Sequence, residues 1–489
     1  MSLIVPEQIK LGDTLRISRV LTGLWQVADI EKEGTTIDPE QGADDLDVYY
    51  RQGFSTFDMA DHYGSAEIIS GHLLKRYQDT PDRPVICTKW CPEPGEMSAK
   101  VVRAGVQERL ERLGVDRVDL LQFHWWMFEH PAWLDALHEL TALRQEGLIT
   151  EIGVTNFDAM HLQLALSDGI PLLTNQVPFS LLDRRAAGPL STLCQTAKTR
   201  LFGYGTLCGG FLSGRWLDRP EPVDISDWSK MKYKRFIDTA GGWEAFQALL
   251  AAAAEIGKKH GVSLSNVATR WVLEQSSVAG VIIGARLGER NHMTDNARLF
   301  SFALDADDHQ LLADNFTDNV PGDCGDEYRK PPFLTASGDL SHHLTGFHNG
   351  FEATPVDHRS GATQVLSGSK WEDVAGYCRA QRIGNRILVS GTTATAGFDR
   401  SVAPSDAGAQ TTFILDKISA SLTALGASID DVIRTRIYIT DIADVELVSK
   451  AHGRIFRSIK PANTLVVVAQ LIGDYRVEIE AEAEIFENL

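Results

Sequence analysis

The chain is 489 residues long, with 43% hydrophobic and 23% charged residues and a formal net charge of −19. That length exceeds one ordinary domain, and the composition is that of a globular protein able to bury sizeable cores. The acidic balance argues against nucleic acid as a partner, because a phosphate-binding surface needs a basic face; a phosphorylated small molecule in a local basic pocket remains compatible with it.

The first thirty residues carry charges throughout and lack the apolar run of a signal peptide. No stretch reaches eighteen apolar residues, so no membrane span is expected. Six cysteines, at 87, 91, 194, 208, 324 and 378, form no CxxC, which fits a reduced cytoplasmic protein better than a disulfide framework. No metal site is expected: Cys87 and Cys91 lack His or Cys neighbours at ligand spacing and read as packed small hydrophobes.

In chain order, residues 6–19 alternate around Gly12-Asp13 and read as a hairpin. Strands are expected near 21–25, 53–58, 84–89, 118–123, 150–154, 172–177, 200–204 and 279–284, most of them separated by amphipathic helical stretches. Eight strands alternating with helices predict a closed (β/α)8 TIM barrel. The longest interval, 205–278, holds an aromatic-rich loop and two helices, 243–257 and 264–274, and reads as a lid or substrate loop. Residues 331–350 lose periodicity and read as a linker, which divides the chain into a barrel over 1–330 and a smaller α+β unit over 351–489. In that second unit, strands are expected at 386–390, 432–439, 464–471 and 475–486, and helices at 408–425 and 443–457.

The chemistry gathers at strand ends. Phe57-Asp58 closes one strand, Tyr63 follows five residues later, Lys89 ends the next and His124 the one after. Charged and polar groups at the carboxyl ends of successive buried strands are how such a barrel presents a site. Asp61 and His62 read as loop residues. A lysine ammonium about 4 Å from the phenol would favour the phenolate by roughly 4 kcal/mol at an effective dielectric of 20. That would bring Tyr63 toward a working range for proton donation. Asp58 would hold Lys89 charged, and His124 would polarise or orient the substrate oxygen, the division of labour between Tyr63 and His124 staying open. There is no HExxH, GxSxG or P-loop, and Gly203-Tyr204-Gly205-Thr206-Leu207-Cys208 breaks the GxGxxG pattern.

Asp58, Tyr63, Lys89 and His124 in this order resemble the aldo-keto reductase family over the N-terminal two-thirds. The resemblance implies reduction of an aldehyde or ketone to an alcohol, or the reverse, with NADPH preferred over NADH. It implies a nicotinamide lying across the barrel mouth and stacked on Tyr204, with Gly205 and Leu207 following. Asn156 and Gln176 would bind the carboxamide, and Gly23, Leu24 and Trp25 would lie near the ribose. Gly284, Arg286, Arg290 and Asn296 would hold the adenosine end and its 2′-phosphate, where an arginine fork suits the charge. Trp25, Trp125 and Trp126 are candidates for an apolar substrate pocket. The second unit resembles the Rid (YjgF-like) family, a chorismate-mutase-like α+β fold, through Arg382-Ile383-Gly384-Asn385, Ile387-Leu388-Val389-Ser390-Gly391 and Arg476-Val477-Glu478-Ile479-Glu480-Ala481. Tyr377, Ser390 and Glu478 match its pocket, whereas Asn463 stands where that family carries a carboxylate-anchoring arginine and Ser449 stands where it carries an asparagine. The departure turns expectation from imine deamination toward a ligand-binding or oligomerising role, and the resemblance implies a homo-oligomer, a trimer of the kind the family builds. Two alternatives stay open: an imine or enamine handled jointly by both units, and a metabolite-binding assembly protein.

Overall fold

A computed structural model of the chain describes residues 4–27, 37–288, 292–317, 320 and 350–486. The expected linker therefore lies outside the described residues, apart from Gly350.

Eight parallel strands close into a barrel: β1 (Val20–Gly23), β2 (Thr56–Asp58), β3 (Val85–Trp90), β4 (Val118–His124), β5 (Ile149–Thr155), β6 (Thr174–Pro178), β7 (Arg200–Tyr204) and β8 (Val278–Gly284). Strand β8 pairs with both β1 and β7, which closes the ring. All seven residues of β4 are buried because both faces of a barrel strand are covered, which removes any alternation, and its polar Asp119, Gln122 and His124 are buried with the rest. The N-terminal hairpin pairs Gln8–Leu11 with Leu15–Ser18. Its Leu11, Leu15 and Ile17 pack with Leu21, Leu120 and Phe202 of the strands and seal one end of the barrel. Gly12 makes the turn at φ 60°, a conformation that costs a residue with Cβ. The expected helices in the long interval are Gly242–His260 and Leu264–Leu273. A third, Trp228–Thr239, is capped by the Asp227 carboxylate accepting from the Lys230 amide.

The second unit is a seven-stranded sheet. Its strands are β9 (Ala353–Pro355), β10 (Ala362–Val365), β11 (Ala380–Ile383), β12 (Arg386–Thr393), β13 (Val432–Ile439), β14 (Ala462–Val467) and β15 (Val477–Glu484), in spatial order β9-β10-β11-β12-β15-β13-β14. The glutamates of β15 alternate with buried Val477, Ile479, Ala481 and Ala483. They do not simply face solvent, because Arg436 pairs with Glu480 and Glu482, and Arg386 pairs with Glu482.

The helix Ala407–Ala424 is buried along its whole length from Ala407 to Leu422, polar residues included. A helix buried all round is covered on both sides. The sheet covers one side. The barrel covers the other through the helix Ala159–Ser167, where the His161 ring lies between Asp158 at 2.6 Å and Asp416 at 2.9 Å. Burial disfavours the charged imidazole, but the two carboxylates outweigh it and raise the His161 pKa to about 9. A folded-state pKa raised above the ordinary 6.5 stabilises fully below that value, and the contribution is lost as pH rises through about 9. The urea midpoint should therefore fall between about pH 7 and about pH 9.5, a fall that His161→Gln flattens. Equal slopes in both proteins would refute the pairing.

Candidate active site

Three neighbouring strand ends and one loop build the site. Asp58 ends β2, Lys89 lies on β3, His124 ends β4, and Tyr63 sits in the loop after β2. The Lys89 ammonium donates to Asp58 Oδ2 at 2.8 Å and to the Met59 carbonyl at 2.9 Å, and lies 5.0 Å from the centre of the Tyr63 ring. Asp58 Oδ1 accepts from Gln176 Nε2 at 2.7 Å and from Gln122 Nε2 at 3.3 Å. Both members of the ion pair are only 4% exposed. Such a pair holds its geometry because each charge left alone would be costly to bury.

Electrostatics divide the roles. Burial penalises the Lys89 charge, but Asp58 and Tyr63 raise its pKa above the ordinary lysine value. Burial pushes the Tyr63 phenol up to about 12, Lys89 opposes that rise, and Asp58 adds to it. The phenol brought toward neutrality, expected from sequence, is therefore not what the fold alone provides: desolvation outweighs the lysine. Burial, aided by the charges of His62, Lys89 and Lys232, lowers His124 to about 3 against a smaller opposing effect of Asp61. His124 is thus a neutral imidazole, 4% exposed, and its Nε2 has no hydrogen-bond partner among the described residues.

These groups line a cavity of about 650 Å³, within the roughly 300–1,000 Å³ typical of ligand sites. It collects Gly23, Trp25, Asp58, Tyr63, Lys89, His124, Asn156, Gln176, Tyr204, Gly205, Leu207, Gly284, Arg286 and Asn296. Other candidates fall elsewhere. Leu24 is buried in the core, its amide donating to the Asp58 carbonyl. Trp125 is 1% exposed, stacks on Phe123 and donates Nε1 to the Met127 carbonyl, so it belongs to the core rather than to the substrate pocket. Trp126 is buried beside the His124 ring at 4.4 Å without lining the cavity. Arg290 lies outside the described residues.

The cavity also holds residues not singled out from sequence: His62, Thr155, Arg215, Lys230, Lys232 and Tyr233. His62, expected as a plain loop residue, packs edge-on against Tyr63 and Trp25 while its Nδ1 contacts Asp61 at 2.9 Å. An Asp-His pair at a barrel mouth was the available signal. Arg215, Lys230, Lys232 and Arg286 outnumber Asp227 and Asp295 in this part of the lining, with Lys230 paired to Asp227 at 2.7 Å.

The donor set suits a nicotinamide dinucleotide. Asn156 takes a left-handed backbone, φ 60°, and its Oδ1 accepts from the Tyr204 hydroxyl at 3.0 Å. Thr155 Oγ1, like His124 Nε2, is buried and without a hydrogen-bond partner among the described residues. At Gly205, φ 69°, a Cβ would fall 2.0 Å from the Tyr233 hydroxyl, so only glycine permits this approach of the Trp228–Thr239 helix to the loop after β7.

In the second unit, Tyr377, Ser390 and Glu478 are brought near Arg379. The guanidinium lies 5.6 Å from the Tyr377 ring and donates to the Gly391 carbonyl at 2.8 Å, and the Glu478 carboxylate packs over Gly391. Ser390 Oγ donates to the Cys378 carbonyl at 2.8 Å. Asn463 donates its amide to Thr435 Oγ1 at 2.9 Å.

A closed parallel barrel with a cavity of about 650 Å³ at the carboxyl ends of its strands, joined to a smaller α+β unit, defines the class: a TIM-barrel protein with its site at the strand ends and an appended domain. The chain belongs to the Aldo/keto reductase family, whose sequence model matches residues 19–314. The model described as Endoribonuclease L-PSP matches 368–485, and the second unit is a Rid (YjgF-like) domain. Aldo-keto reductase YhdN of Bacillus subtilis is 25% identical over 345 residues, covering 67% of this chain and 98% of that protein. Uncharacterized protein SCO2049 of Streptomyces coelicolor is 37% identical over 123 residues, covering 25% of this chain and 90% of that one. In fold, the barrel is similar to the glycerol dehydrogenase AKR11B4 from Gluconobacter oxydans, with a TM-score of 0.53 and 23% identity over 64% of this chain and 95% of that chain. Aldo-keto reductases use nicotinamide cofactors, and among the described residues no helix is long and apolar enough to cross a membrane.

Proposed function

We propose that the chain is an NADPH-dependent carbonyl reductase in which Tyr63 is the proton donor, Lys89 and Asp58 set its acidity, and His124 orients the substrate oxygen. The observation carrying this reading is the convergence of those four side chains on one cavity, with the His124 imidazole neutral and its Nε2 unsatisfied. A neutral imidazole is a poor acid but a good hydrogen-bond donor, which leaves the proton to the phenol. A nicotinamide held in this cavity would supply the hydride. The chain's own residues then hold the carbonyl oxygen between Tyr63 and His124, and the Tyr63 hydroxyl proton passes to that oxygen as negative charge develops on it. Lys89 stabilises the phenolate left behind, and Asp58 keeps the ammonium in place.

The choice of NADPH rests on the excess of cations, Arg215, Lys232 and Arg286 beside the Lys230–Asp227 pair, in the lining. A guanidinium matches a phosphate bidentately. Arg286→Ala should raise the NADPH dissociation constant about ten- to a hundredfold, as expected for a charge-assisted contact worth about 1.5–3 kcal/mol, and leave that of NADH nearly unchanged. Tryptophan-fluorescence titration with both cofactors checks this; equal weakening of both would count against a 2′-phosphate contact.

The Rid-like domain is read as an assembly or ligand-binding module, and a homotrimer is the expected state. In support, its β14 edge strand exposes Val466 and Val467, and its sheet exposes Leu388 and Ile433. A reducing, cytoplasmic setting accords with Cys87, Cys91, Cys194, Cys208 and Cys378, all free thiols.

A further inference from the structure

The two loops that follow His124 and Asn156 are held from outside the barrel. The loop after β4 carries Trp126, Phe128 and Glu129; the loop after β5 carries Asn156, Phe157 and Asp158. Phe128 stacks flat on the His161 ring, with centroids 3.6 Å apart and planes at 10°, and Phe157 packs edge-on against Phe128 at 5.0 Å. Both ring nitrogens of His161 face carboxylates, Asp158 at the start of its own helix and Asp416 on the helix Ala407–Ala424. Asp158 Oδ1 caps the Ala159–Ser167 helix while its Oδ2 accepts from Arg454 of the helix Val445–Phe456 at 2.6 Å. Ser419 donates to Glu129 at 2.8 Å. Every one of these external partners belongs to the Rid-like domain.

We propose that the Rid-like domain sets the geometry of the reductase site in its own chain, with Asp416 and Arg454 as positioning residues. Asp416 acts through His161 on Phe128 and the β4 loop. Arg454 acts through Asp158 on the segment that fixes Asn156 in its left-handed conformation. A buried imidazole between two carboxylates fixes ring orientation as well as charge, and a ring stacked on it is fixed in turn. The cavity is thereby completed by a domain that contributes none of its described lining residues. The inference rests on the reading of the barrel mouth as the cofactor and substrate site.

The experiment uses the full chain with the variants Asp416→Asn, Ser419→Ala and Arg400→Gln. Arg400 makes a domain-to-domain ion pair with Asp168 at 2.8 Å, at the far end of the Ala159–Ser167 helix, and serves as the control for lost interface contacts. Readouts are hydrogen exchange in peptides covering 125–131 and 156–162, the NADPH dissociation constant, and kcat and KM for an aromatic aldehyde, all well below the melting temperature. Asp416→Asn is expected to speed exchange in both peptides, to weaken NADPH about tenfold and to raise the aldehyde KM by a similar factor, a size typical of network residues. Ser419→Ala should affect 125–131 alone, and Arg400→Gln should lower only the melting temperature. Unaltered exchange at both loops in Asp416→Asn, or the same changes in Arg400→Gln, would overturn the proposal. A wild-type chain that neither binds NADPH nor reduces aldehyde would overturn the reductase reading instead, while the exchange data would still decide whether the domain holds the loops.

Discussion

Tyr63→Phe is expected to reduce NADPH-dependent aldehyde turnover by about 10³-fold, within the 10²–10⁴ that a positioned general acid contributes. The phenylalanine ring keeps the packing against Trp25 and His62, so cofactor affinity and melting temperature should stay close to those of the native chain. The loss should fall on kcat, because the hydroxyl proton matters as charge develops on the substrate oxygen and little before. With Tyr63 at about 12, the native enzyme should show no falling limb in its reduction rate below about pH 9, since the donor keeps its proton across that range. A variant retaining a tenth or more of native kcat would assign the proton donation elsewhere.

Lys89→Met should harm both chemistry and stability, and the combination sets it apart from the tyrosine variant. At 5.0 Å from the Tyr63 ring centre, the Lys89 charge favours the phenolate by about 3 kcal/mol at an effective dielectric of 20, or about two pKa units. Removing it takes away the influence that opposes desolvation of the phenol, and kcat should fall about 10²-fold. The same substitution leaves the Asp58 carboxylate buried with only the Gln176 and Gln122 amides. Breaking a buried pair by removing one partner typically costs about 3–5 kcal/mol. Urea unfolding should therefore report a loss of that order in Lys89→Met and almost none in Tyr63→Phe. A double variant Asp58→Asn/Lys89→Met should recover part of the stability and none of the rate, because it removes the stranded charge without restoring the ammonium.

The strand ends were legible in the sequence because burial and chemistry change there within one residue. Phe57-Asp58 and Phe123-His124 each pass from a buried apolar strand to a polar group, and the fold places both at the same mouth. Most of the cavity lining was legible by resemblance, down to Tyr204 and Asn156. The rest depended on tertiary contact. Trp125 and Trp126 look equivalent as letters, yet Trp125 turns into the core and donates to Met127 while Trp126 abuts His124. The helix Trp228–Thr239 was hidden by its polar composition, although Asp227 as its cap was a readable start signal. With it went Lys230 and Lys232, two of the cations in the cavity. The pKa of Tyr63 was misjudged from sequence because a pairwise lysine effect is visible in a motif and desolvation is not. The contact of His161 with Asp416 joins residues 255 positions apart and had no local sign.

The central claim is most directly tested by incubating the full chain with an aromatic aldehyde and NADPH deuterated at the nicotinamide C4, and analysing the product by mass spectrometry. Cofactor oxidation with one deuterium on the carbinol carbon, abolished in Tyr63→Phe, is the predicted result. Bound cofactor with no transfer of deuterium to any tested aldehyde would contradict the assignment of the barrel as a carbonyl reductase.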